Sequence, residues 1–157
     1  MCRLPMSLCA AGLALLAAPP AAVALVQVDR GLAGVRLGNS RAEVRAALGP
    51  PASSASGRNP FGRFVRYRFA GGITVLFQGG EQVTSVTTTG RGDRTARGVG
   101  VGSSEASVRR LVRGVTCEST GGVRSCHTGR FEPGQRITDF AIRGGRVNRL
   151  TIGIVID

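Results

Sequence analysis

The sequence predicts an α+β fold of two tandem repeats, each a helix followed by three antiparallel strands, packed as one unit. Three observations predict it. Residues 34–49, GVRLGNSRAEVRAALG, recur 64 residues later at 98–113 as GVGVGSSEASVRRLVR, with seven identities in sixteen positions. The identities are Gly34/Gly98, Val35/Val99, Gly38/Gly102, Ser40/Ser104, Ala42/Ala106, Val44/Val108 and Arg45/Arg109. Each copy is followed by stretches rich in β-branched and aromatic residues, as half-buried strands prefer. Paired glycines at 71–72, 79–80 and 144–145 supply the turns between those stretches.

The chain begins with a segment outside that plan. Arg3 precedes a long apolar run that ends in Ala22-Val23-Ala24, the pattern of a secretory signal peptide. Pro19-Pro20 interrupts the run, which argues against a retained membrane helix. The expectation is cleavage after Ala24, leaving 133 of the 157 residues with no transmembrane span, secreted or in the periplasm or cell envelope. An uncleaved N-terminal anchor is the alternative. A lipoprotein at Cys9 fits less well, because the bulky Leu8 precedes it.

The first repeat spans 25–90. Ser40 is placed as a helix N-cap with Glu43 at the capping-box spacing. Val44, Ala47 and Leu48 share one helical face, and Gly49-Pro50-Pro51 ends the helix. The polar stretch Ala52–Pro60 reads as a loop. RFVRYRF then alternates, with Arg63, Val65, Tyr67 and Phe69 on one face and Phe64, Arg66 and Arg68 on the other. GITVLFQ and QVTSVTTT complete the sheet. Residues 91–97 read as a linker, and their Arg91-Gly92-Asp93 as ordinary turn chemistry rather than an adhesion ligand.

The second repeat spans 98–157. Ser104 caps its helix, with Val108, Leu111 and Val112 facing inward and Gly114 closing it. The strands are VRSCHT, RITDFAI and RVNRLTIGIVI. Ile73-Thr74 matches Ile137-Thr138, and Val83 and Val86-Thr87 match Val147 and Leu150-Thr151, all at offset 64. One residue is inserted before Gly144-Gly145. Cys117 and Cys126, an even pair in an exported chain, read as a disulfide.

The order G-x-x-x-G-x-S-x-x-x-V-x-x-x-L-G, then a short antiparallel sheet, resembles the SmpA/OmlA (BamE-like) envelope domains. The tandem arrangement, with CESTGGVRSC just after a helix, is similar to the β-lactamase inhibitor protein fold. The resemblance covers nearly the whole mature chain and implies a non-catalytic protein-binding scaffold. It brings no functional residue with it, because the inhibitor's aromatic contact surface is not matched: the chain has no Trp and one Tyr.

The charge narrows the partner. All 21 basic residues are Arg; without Arg3, 20 face nine acids, a net +11. Such a chain is drawn to anionic surfaces. The candidate binding face is Arg66, Tyr67 and Arg68 with Arg143, Arg146 and Arg149 of the second sheet. Its partner is a protein or, alternatively, an anionic cell-wall or extracellular polymer. Specific nucleic-acid binding is not expected, since stacking aromatics are scarce. Nothing points to an enzyme, a cofactor or a metal. His127 is the only histidine, too few for zinc, and reads as a surface residue. Ser40 and Ser104 read as caps, the acids are dispersed, and GVGVGSS lacks the lysine of a phosphate loop.

Overall fold

The computed structural model describes residues 25–156; the expected signal segment and cleavage site lie outside them. The chain runs β1 (Leu25–Gln27), β2 (Gly31–Leu32), β3 (Val35–Arg36), α1 (Arg41–Leu48), β4 (Ser53–Asn59), β5 (Gly62–Arg68), β6 (Ile73–Gln78), β7 (Ser85–Thr88), β8 (Arg94–Thr95), α2 (Glu105–Leu111), β9 (Val115–Thr120), β10 (Val123–Thr128), β11 (Arg136–Arg143) and β12 (Arg146–Ile154). Among the described residues, no helix is long and apolar enough to cross a membrane.

The fold class differs from the expected α+β pair of helix-plus-three-strand repeats. The chain is mostly β. One sheet has eight strands in the order β4-β5-β6-β7-β12-β11-β10-β9, and a second has four in the order β3-β2-β1-β8. Each helix is followed by a four-stranded meander, and the two meanders join edge to edge. Two strands escaped sequence reading because they lie at the sheet's outer edges. β4 is SSASGRN, without a large apolar residue and exposed over six of its seven positions; only its backbone pairing with β5 makes it a strand. β9 likewise pairs only with β10 and is exposed along its second half.

The helices form where their caps sit. The Ser40 hydroxyl accepts from the Glu43 N–H, and the Glu43 carboxylate accepts from the Ser40 N–H at 2.7 Å, closing the capping box. Ser104 accepts from the Ser107 N–H in the same way. Val44 and Val108 are fully buried, while Ala47 remains exposed. Glu105 ties α2 to the sheet through Arg124 (2.5 Å) and bonds Arg109 (2.8 Å), and these guanidiniums hold its carboxyl down to about 2.

The recurring glycines have a conformational cause. Gly38 and Gly102 have φ of +89° and +91°, a region L-residues with a Cβ avoid. That turn aims the Gly38 N–H at the Val83 carbonyl (2.9 Å) and returns the Val83 N–H to Asn39 (2.8 Å). The second copy repeats it with Gly102, Val147 and Ser103 at 2.7 and 2.9 Å. The motif is thus a clasp that pins each helix entrance at the start of the last strand of its own meander, just before β7 in the first copy and within β12 in the second.

The core lies between the helices and one face of the large sheet. Val75, Phe77, Val86, Phe140, Leu150 and Ile152 are fully buried there. The N-terminal strands complete it across the repeats. β1 pairs in parallel with β8, and Asp29 accepts hydrogen bonds from Thr128 and Thr138 of the second meander. The segment read as a linker is therefore partly structured: it contributes β8, and the Asp93 carboxylate is buried and accepts from the Thr88 hydroxyl.

Strand pairing also relocates the inserted residue. Thr74 lies opposite Thr87, and Asp139 opposite Thr151. Since Thr87 and Thr151 are equivalent, Thr74 corresponds to Asp139, not to Thr138. The Ile137-Thr138 match is one residue out of register, because the extra residue enters before β11 rather than after it. Cys117 and Cys126 are directly opposite in the β9–β10 hairpin, with Cα atoms 3.9 Å apart, and are disulfide-bonded.

Two predictions test these constraints. Gly38→Ala and Gly102→Ala should each cost about 1–2 kcal/mol through backbone strain alone, because a Cβ at either position meets nothing within 4 Å; urea denaturation measures this. Cys117→Ser should leave the protein folded but less stable by about 2–3 kcal/mol, read as a lower melting temperature that reduction of the unaltered protein reproduces.

Candidate binding face

Helices cover one face of the eight-stranded sheet; the other carries the candidate site. Because directly opposed residues in an antiparallel sheet project to the same side, the register lists what this face presents. One row runs Arg68, Thr74, Thr87, Thr151, Asp139, His127, Thr116 across seven strands. A neighbouring row begins Arg66, Leu76, Ser85, Gly153.

Arg66, Arg68 and Arg149 converge on a shallow basin of about 560 Å³ floored by Thr74, Thr87 and Thr151. The Thr87 and Thr151 hydroxyls are 3.1 Å apart. These two threonines are equivalent by the 64-residue repeat, so the local two-fold axis of the sheet passes between them, at the basin floor. The Arg66 guanidinium lies 5.3 Å over the Phe64 ring, which fixes the planar donor group at the rim.

The other expected face residues lie elsewhere. Tyr67 alternates to the helix side and is only 4% exposed. Its ring packs edge-on against Phe77, and its hydroxyl accepts from Arg45 at 2.8 Å. Arg143 and Arg146 flank the Gly144-Gly145 turn, and Arg146 donates to the Gly102 carbonyl at 3.0 Å, bracing the clasp.

Beyond the axis the face changes character. His127 is buried, its ring 4.5 Å from that of Phe131 and its Nε2 3.3 Å from Glu118. It was expected at the surface; the loop after β10 folds Phe131 over it, a contact with no periodic trace in the sequence. Next to it, burial pushes the Asp139 carboxyl above its ordinary value, against the pull of Ser125, Arg149 and His127. His127 Nδ1 and Asp139 Oδ1 are buried without a hydrogen-bond partner among the described residues. The face is therefore graded across the axis: Arg66 and Arg68 lie on β5, Arg149 on β12 just across the axis, and two carboxylates with an imidazole beyond it on β9, β10 and β11.

No protein-family model matches the sequence, and no curated protein matches it. Three solved structures align with part of the chain. A cysteine-rich secretory protein from Staphylococcus aureus is 10% identical with a TM-score of 0.48. An extracellular protein containing a SCP domain from Bacillus anthracis is 9% identical with a TM-score of 0.47. For both, the match covers 75% of this chain and 44% of the other, so the chain spans less than half their length. A DUF4309 family protein from Bacillus subtilis is 14% identical with a TM-score of 0.45, over 74% of this chain and 78% of the other.

The basin offers Arg forks and hydroxyl donors, a set suited to carboxylates and other oxyanions. The Glu105 carboxylate and the sulfurs of Cys117 and Cys126 lie together, but the sulfurs are joined to each other and the carboxylate is held by two arginines. That set has no thiolate to offer a metal.

Asp139 carries a test. Its raised value favours the protonated acid in the folded state, a contribution present at low pH and lost as pH rises through the folded value. Asp139→Asn should therefore stabilise the protein at pH 7, and the gain should vanish below about pH 4, as followed by chemical denaturation across pH.

Proposed function

We propose that the protein is an exported, non-catalytic interaction module that binds a protein partner through the open face of its eight-stranded sheet. The grading of that face carries the reading. A partner presenting an acidic segment to Arg66, Arg68 and Arg149, and a basic or hydrogen-bonding group to Glu118 and Asp139, satisfies both halves at once. A uniformly anionic polymer satisfies only the first and is repelled by the second. Electrostatic complementarity of this kind sets register and excludes wrong partners. The Cys117–Cys126 disulfide fits an oxidising compartment, and the tandem scaffold fits the protein-binding role implied by the BamE-like and inhibitor-like resemblance.

The polymer reading keeps one supporting observation, the net charge of +12 for the full chain. Binding of the purified protein to envelope fractions of its own producer, over a salt series and before and after protease treatment, separates the two. Binding abolished by protease supports the protein partner; binding that survives protease and collapses with salt replaces it with a polymer. In the first case Arg66→Glu with Arg68→Glu should weaken affinity at least tenfold, about 1.4 kcal/mol or more, without lowering the melting temperature. Unchanged affinity would remove the basin from the interface.

A further inference from the structure

A second cleft lies on the helix side of the same sheet, beside the N-terminal start of α1 and away from the basin. It measures about 600 Å³, and its lining includes Arg41, Arg58, Arg63, Val65, Phe77 and Glu81. Three of the chain's arginines meet here around one carboxylate. Arg41 is paired with Glu81 at 2.9 Å, and its guanidinium lies 5.5 Å over the Phe77 ring. Its Nε–H is buried and lacks a partner among the described residues, a donor left aimed into protein rather than water.

Arg58 and Arg63 are the other two. They sit directly opposite each other on β4 and β5, where like charges repel and destabilise the hairpin. Neither forms an ion pair among the described residues. The same register places Ser56 opposite Val65 and Val65 opposite the buried Phe77, so Val65 forms an apolar spot in the floor beside the arginines. With Glu81 neutralising Arg41, two positive charges remain over that floor.

We propose that this cleft binds a phosphomonoester whose dianion bridges Arg58 and Arg63 and whose organic body lies on Val65 toward Phe77. The charge count favours this ligand over a carboxylate: a phosphomonoester carries about −1.5 to −2 at pH 7, matching the two guanidiniums, and it offers enough acceptor oxygens for two Arg forks. A small phosphorylated molecule and the phosphorylated end of a larger one share this chemistry. The site is independent of the open face, which lies on the other side of the sheet.

The test is calorimetric titration of the purified protein with phenyl phosphate, methyl phosphate and benzoate. Phenyl phosphate should bind at least tenfold more tightly than methyl phosphate, which lacks the apolar body, and more tightly than benzoate, which has half the charge. Arg63→Gln should weaken phenyl phosphate at least tenfold while leaving the melting temperature of the unliganded protein equal or higher, because it relieves the Arg58–Arg63 repulsion. Arg110→Gln, an exposed arginine of α2 outside both the cleft and the basin, should leave phenyl phosphate binding unchanged. Equal affinity for the Arg63→Gln variant, equal loss in the Arg110→Gln variant, or no preference for phosphate over benzoate overturns the proposal. Extending the series to longer alkyl phosphates distinguishes the sources: affinity that levels off early marks a small ligand, and affinity that rises with every added carbon marks the end of a larger one.

Discussion

The backbone pairing of β7 with β12 is the interaction on which the rest of the molecule depends. Without it, each repeat is a helix on a four-stranded meander whose last strand exposes its edge, and Val86 and Ile152 lose each other as direct neighbours. The pairing is nearly self-complementary. Thr87 faces Thr151, its own counterpart, and Val86 faces Ile152, the counterpart of Thr88. A two-fold dimer interface has this reciprocal pattern, here joined into one chain. The union removes two open edges from the centre of the sheet, where an unpaired strand invites aggregation, and leaves only the polar β4 and the disulfide-braced β9 outermost.

That seam explains why the N-terminal residues cross between repeats. Once the meanders are joined, the helices lie on the same face and the space between them needs a cover. β1, β2 and β3 supply it. Their own Val26, Leu32 and Val35 are buried, β1 takes β8 as its parallel neighbour, and Asp29 reaches the threonines of the other meander. Cooperative unfolding as one body follows, because neither repeat owns its full core.

Much of this architecture was legible in the sequence, for identifiable reasons. The 64-residue repeat exposed the Gly38 and Gly102 clasps because positive φ restricts the residue to glycine. The caps at Ser40 and Ser104 were legible because an N-cap needs a side-chain acceptor at one position. Strands with a buried face betrayed themselves by alternation, and that alternation also placed Arg66 and Arg68 outward. What failed lacked such a pattern. β4 has no buried face, β1, β2, β3 and β8 are too short to alternate, and His127 is buried by a loop rather than by its strand. Tyr67 belonged by its own alternation with Val65 and Phe69, on the covered side, and grouping it with its arginine neighbours in sequence put it on the wrong face. The Ile-Thr match at 73 and 137 misled because two common residues can coincide one position out of register.

The corrected register shows how duplication becomes division of labour. Tyr67 of β5 faces Val75, and Cys126 of β10 faces Phe140, so Tyr67 and Cys126 occupy equivalent positions. One copy fills that place with an aromatic ring held by Arg45; the other fills it with a sulfur bonded across the edge hairpin. The same equivalence sets Arg68 against His127, Arg66 against Ser125, and Thr74 against Asp139 on the open face. The covered face has changed by exchanging one solid filling for another, as a core must to stay packed. The open face has changed in charge, which packing does not forbid. Under the proposed reading, such a face would hold its partner in one orientation only, because turning the partner about the Thr87–Thr151 axis would set its acidic segment against Asp139 and Glu118.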